Sequence, residues 1–143
     1  MKRRLPRRAA LLLFPLVLAL PLVAGSSPVV TASPGGHLTV TTEVTAGSGM
    51  TYALAADGQP LIAPSGLGLD FGSAGHLPGP GWTVARTHSR TVNATWKPVW
   101  GKRAVVPDRC HETVWELTGP GAPFDRLTVT LRVYDDGIAF RYA

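Results

Sequence analysis

Beyond its first 25 residues the chain alternates apolar and polar positions in short runs and nowhere sustains a 3.6-residue repeat. A period of two places successive side chains on opposite faces of a strand. "HLTVTTEV" sets Leu38, Val40, Thr42 and Val44 on one face. "MTYALAADGQPLI" predicts a hairpin, in which Tyr52 and Leu54 lead into an Asp57-Gly58 turn and Leu61 and Ile62 return. "APSGLGLDFG" predicts a turn and then a short strand through Leu67, Leu69 and Phe71. "GSAGHLPGPG" predicts a loop, because glycine and proline interrupt regular pairing. In "WTVARTHSRTV", Trp82, Val84 and Arg86 share one parity.

The later strands alternate more strictly. "HETVWEL" gives His111, Thr113, Trp115 and Leu117 one face and Glu112, Val114 and Glu116 the other. "LTVTLRVY" points Leu127, Val129, Leu131 and Val133 inward, Asp135-Asp136-Gly137 turns the chain, and Ile138, Phe140 and Tyr142 return on one face. Many short strands punctuated by glycine and proline predict an all-β domain. No fixed-period repeat is present. The final hairpin leaves a long apolar edge, which domains avoid, so the expectation is the front part of a longer protein, with its sandwich incomplete at the C-terminus.

The first residues change the reading of charge. "MKRRLPRR" followed by "AALLLFPLVLALPLVAGSS" has the cationic start, short apolar run and small-residue exit of a secretory signal peptide over residues 1–25. Pro15 and Pro21 and the short run argue against a stable membrane span. The whole chain carries +5, but Lys2, Arg3, Arg4, Arg7 and Arg8 lie in this leader. The rest, residues 26–143, is expected to form one domain in which nine cations balance nine anions. The basic balance therefore gives no argument for nucleic acid. Cys110 is the single cysteine, so no internal disulfide can form, and a small buried side chain is expected there.

Four stretches, in this order and spacing, resemble the N-terminal domain of glycoside hydrolase family 97. They are "SPGGHLTVTTEV", "YALAADGQPLIAPSGLGLDF", "TWKPVWGKRAVVPDRCHETVWEL" and "LRVYDDGIAFRY". The resemblance covers nearly all of the chain after the leader. It implies a β-sandwich of the super-sandwich type, similar to the galactose-mutarotase-like fold. It also implies a partner in cis, a catalytic (β/α)₈ barrel, and an enzyme that acts on α-glucosides or α-galactosides with a calcium ion. The family's catalytic carboxylates lie in the barrel, and its N-terminal calcium contact lies downstream of the Phe-Arg-Tyr strand. The competing class is a stand-alone exported carbohydrate-binding or adhesion module.

"TWKPVWGKR" carries the candidate binding residues Trp96, Lys97, Trp100 and Arg103. Trp96, Pro98 and Trp100 share one parity, and Pro98 excludes a central strand. The two rings suit a seam with the barrel first, core packing second and direct stacking on a sugar third. Lys97, Lys102 and Arg103 would line the rim. No residue is assigned a catalytic role. Glu112 and Glu116 sit on one strand face at roughly 13 Å from the strand rise, too far apart for either glycosidase geometry, and a solvated polar face is expected there. Cys110, His111 and Glu112 alternate faces and cannot converge on one metal ion. Asn93-Ala94-Thr95 fits a glycosylation sequon, relevant only in a eukaryotic secretory host.

Overall fold

A computed structural model describes residues 27–72, 75–122 and 124–143. The leader lies outside the described residues. Ten strands make up the described part: β1 (Val29–Ala32), β2 (Leu38–Thr45), β3 (Gly49–Ala56), β4 (Gln59–Leu67), β5 (Leu69–Asp70), β6 (His76–Leu77), β7 (Thr83–Trp96), β8 (Val106–Gly121), β9 (Phe124–Val133) and β10 (Ile138–Tyr142). No helix among the described residues is long and apolar enough to cross a membrane.

Two four-stranded antiparallel sheets form a sandwich, one ordered β1-β2-β3-β4 and the other β10-β9-β8-β7. Each is a meander set by local turns. Asp57 and Gly58 have φ of 47° and 77°, the left-handed pair that closes a two-residue hairpin, and they bring Ala56 opposite Gln59. At the last hairpin Tyr134 N donates to Gly137 O at 2.8 Å and Val133 pairs with Ile138. β5 and β6 form a separate two-stranded pair.

Apolar alternation defines the layer between the sheets. Val40 and Val44 of β2, Met50 of β3, Trp115 and Leu117 of β8, and Val129, Leu131 and Val133 of β9 are buried in one cluster. Leu77 and Trp82 join that cluster from the segment that crosses between the sheets. Tyr52 and Phe140 meet edge to face across the layer, ring centres 5.2 Å apart, a favourable aromatic geometry. The layer is also pinned by polar contacts. The Thr31 and Thr113 hydroxyls lie 2.8 Å apart, and Thr113 is also 2.8 Å from the Ser89 hydroxyl. His111 Nδ1 donates to Ala32 O at 2.8 Å, and Gly35 N donates to Asp135 Oδ1 at 2.6 Å.

Three local expectations are corrected. The "APSG" stretch is not a turn: β4 continues through it to Leu67, with register shifts near Leu54. Pro60 and Pro64 are tolerated because β4 ends the sheet order and has a partner strand on one side alone. The "GSAGHLPGPG" loop contains β6, which pairs with β5. In β7 the register steps from Val84↔Leu117 to Arg86↔Glu116. Such a bulge reverses the faces beyond it, so Val84 lies on the core side with Leu117 and Arg86 on the outer side with Glu116.

Gly49 shows how tightly the crossing segment sits. Its φ is +84°, and a Cβ built there would lie 2.1 Å from Pro78 O. Gly49→Ala therefore combines a disfavoured backbone with a backbone clash, and should lower stability by about 3 kcal/mol. Gly47, where a Cβ meets nothing within 4 Å, serves as the control. Thermal melts of the two variants check this: equal midpoints would refute the close approach.

Candidate functional site

The residues expected to bind sit at the end of a projecting ribbon. β9 pairs with β8 only as far as His111↔Val133, whereas β7 and β8 continue pairing to Trp96↔Val106. Beyond that sheet the chain is a two-stranded arm closed by residues 97–105. Trp96 is its last strand residue and is 54% exposed, and Trp100 lies in the tip at 88%. Val99 is 99% exposed, and Lys97, Lys102 and Arg103 are also exposed. The tryptophans are thus not core, and the shared parity does not reach Trp100, because the strand ends first. What the tip presents is an apolar surface of two indoles and two valines, Val99 and Val105, with three cations at its margin.

A second polar feature, not foreseen from the sequence, lies on the outer face of the β7–β10 sheet. Pairing aligns Arg90, Glu112, Arg132 and Ala139 in one row across four strands. Arg90 Nε donates to Glu112 Oε1 at 2.6 Å and Arg132 Nε donates to Oε2 at 2.7 Å. Arg132 Nη1 reaches Asp108 Oδ2 at 3.2 Å, and Tyr134 OH donates to Asp108 Oδ1 at 3.0 Å. Glu112 is only 4% exposed, so the expected solvated face is corrected. Two arginine side chains, reaching from β7 and β9, cover the carboxylate. Strand alternation alone shows which face Glu112 occupies. It does not show which residues stand opposite.

The cluster explains the local electrostatics. The hydrogen bond from Arg90, reinforced by Arg132, holds the Glu112 carboxyl below its usual range against the opposing effect of burial. A carboxylate paired on both oxygens is a structural ion rather than a proton donor. Cys110 is fully buried yet outside the apolar cluster, and burial pushes its thiol up. His111 points instead to the core side, toward Ala32 O. Among the described residues no three His, Cys, Asp or Glu side chains come together as a metal site.

The depressed Glu112 value fixes a pH dependence. Its stabilising contribution is fully present above the unfolded-state value of about 4.3 and is lost as pH falls through the lower folded value. Asp135, held low by the Gly35 amide, acts in the same direction. Glu112→Gln should cost about 2 kcal/mol at neutral pH, below the range for a fully buried pair because Arg90 is well exposed and solvent screens its charge. It should also flatten the stability profile as pH falls below the unfolded-state value of about 4.3. Denaturant melts across that range check both effects, and an unchanged acid slope would rule out the Glu112 charge as their source.

The chain matches the family model described as glycosyl-hydrolase 97 N-terminal over residues 31–143. Among solved structures, a glycoside hydrolase family 97 enzyme from Pseudoalteromonas sp. strain K8, in complex with panose, superposes with a TM-score of 0.68 at 22% identity. The match covers 80% of this chain and 17% of that one. The family 97 enzyme from that strain in complex with acarbose gives 0.68 at 21% identity, with the same shares. A β-arabinopyranosidase gives 0.66 at 21%, covering 80% of this chain and 18% of that one. At this identity the superpositions show a shared sandwich fold, and the chain spans less than a fifth of those enzymes' length. With the family model matched across all but its first 30 residues, the chain belongs to the glycosyl-hydrolase 97 N-terminal family.

Proposed function

We propose that this chain is the non-catalytic N-terminal module of an exported family 97 glycoside hydrolase acting on α-glucosides or α-galactosides. The observation that carries the reading is the family match over residues 31–143 beside a 17% share of the solved enzymes. In those proteins the sandwich is a small part of a long polypeptide, and a catalytic barrel in cis is the partner this module would support. The complexes with panose and acarbose favour carbohydrate as the ligand of the whole enzyme. The calcium ion belongs to the same proposal for the full-length protein. The described residues offer it no cluster of three carboxylate, histidine or thiol donors.

The arm tip suits the seam with the barrel. Trp96 and Trp100 would be covered there, and Lys97 and Arg103 would form the polar rim. Indoles are effective interface anchors because they remove a large area from water at low entropic cost. Glu112 is held ionised by two arginines, so it carries no proton to give a leaving oxygen.

Two outcomes are expected. The enzyme isolated from the cell exterior should begin between Gly25 and Ser33 by mass spectrometry and should turn over aryl α-glucoside or α-galactoside. Residues 26–143 alone should give no turnover above a matched blank. Turnover by the short chain that disappears in Glu112→Gln would move catalysis into the sandwich. In the full-length enzyme, Trp100→Ala should lower stability by about 3 kcal/mol through loss of a covered ring. In the short chain the same change should stay within about 0.5 kcal/mol. Unchanged melting of the full-length variant with lost sugar affinity would instead make the tip a sugar platform.

A further inference from the structure

The outer face of the β7–β10 sheet carries a trough of about 590 Å³. Its construction follows from the register. Val114 pairs with His88 and Thr130, and Thr130 pairs with Arg141. This row lies one step along the sheet from Arg90–Glu112–Arg132–Ala139. Small side chains, Val114, Thr130 and Ala139, therefore form a low floor between longer neighbours. Arg90 and His88 stand on the β7 side and Arg141 on the β10 side, with Arg132 at the end toward Tyr134.

The trough has an excess of positive charge. Three arginines line it against one carboxylate, and both Glu112 oxygens are already taken by Nε donors. A guanidinium carries five N–H donors. Arg90 uses its Nε here, Arg132 its Nε and Nη1, and Arg141 has no ion-pair partner among the described residues. The chain after the leader balances its charges only as a whole: outside the trough six cations face eight anions, so this surplus is local. The floor itself offers a sugar ring no aromatic platform: Trp115 turns into the core layer, Phe140 at the margin packs partly against it, and Tyr134 at the end of the trough has its hydroxyl held by Asp108. Forked guanidinium donors above a shallow hydroxyl-bearing floor suit a carboxylate, which accepts two parallel N–H bonds.

We propose that this trough is a docking surface for an acidic stretch of the catalytic domain, whose carboxylate is received by Arg141 together with the free donors of Arg90 and Arg132. The inference rests on the reading that such a domain shares the polypeptide. The occupant follows from charge complementarity, and from solved enzymes in which more than four fifths of the chain lies outside the matched part. The surface lies on the same sheet that extends into the arm, so the tip and the trough would close on one partner.

The test is Arg141→Glu in the full-length enzyme, with Arg141→Lys beside it. At low salt, Arg141→Glu should speed proteolytic cleavage between the module and the barrel on the order of tenfold, the effect of losing one decade in domain association. The effect should shrink at 0.5 M salt, where exposed charges are screened, and Arg141→Lys should restore most of the protection. Residues 26–143 carrying Arg141→Glu should melt as wild type, which separates docking from internal stability. Wild-type protease resistance of the full-length Arg141→Glu enzyme at low salt overturns the proposal. So does equal destabilisation of the short chain. A full-length enzyme inactive on both aryl glycosides sinks the functional reading while leaving the proteolysis result to decide the docking surface.

Discussion

β8 is a strand that must be satisfied on both faces, and the rest of the domain is arranged around that requirement. Toward the layer it supplies Thr113, Trp115 and Leu117, and on the other side it supplies Cys110 and Glu112, all five buried. An apolar face needs only a second apolar surface. A buried carboxylate needs partners of defined chemistry at defined positions, because an unpaired charge out of water is costly. Glu112 finds them in Arg90 and Arg132, one on each neighbouring strand. The two bonds form together only when β7, β8 and β9 hold this register. The net gain in stability from such a triad is modest, but a one-step slip would leave a buried charge without partners. Among the described residues no buried side-chain nitrogen or oxygen lacks a hydrogen bond, so the polar requirements of the interior are met together with the packing.

The two sheets overlap incompletely, and this positions the exposed features. β1 faces β8 through Thr31 and Thr113, and β3 faces β10 through Tyr52 and Phe140. β7 therefore overhangs beyond β1, and most of its residues on both faces are exposed. An overhanging strand is free to lengthen, and β7 with β8 does so into the arm that carries Trp96 and Trp100. The arm and its apolar tip thus follow from this offset, whereas the cationic trough lies on the outer face of the same sheet, which the other sheet does not cover.

Features set by near neighbours along the chain are legible in the sequence. Asp57-Gly58 predicts its own turn because the left-handed pair is a local preference, and "LTVTLRVY" predicts its inward face because alternation is local too. The family resemblance, carried by four stretches of which "TWKPVWGKR" and "YDDGIAFRY" are the most specific, agrees with the match over residues 31–143. Features that depend on a distant partner are not legible in the same way. Glu112 reads as solvated because Arg90 and Arg132 stand 22 and 20 residues away, and sequence does not show which of many arginines will lie opposite. Pro64 reads as a turn residue because only the sheet order reveals β4 as an outer strand. Trp100 shares parity with Trp96, but parity has meaning only while the strand lasts.

The bulge at Ala85 bears on how this sequence can change length. One residue more or fewer in a strand exchanges its two faces. In β8 that exchange would drive Glu112 into the apolar layer and expel Trp115, so insertions and deletions there are selected against from both sides at once. In β7 the bulge has already absorbed one extra residue, and the faces it exchanges are both largely open to solvent. Length variation among relatives should therefore gather in β7 and the arm, while β8 keeps its count; the strand that tolerates drift is also the one that presents surface to a partner.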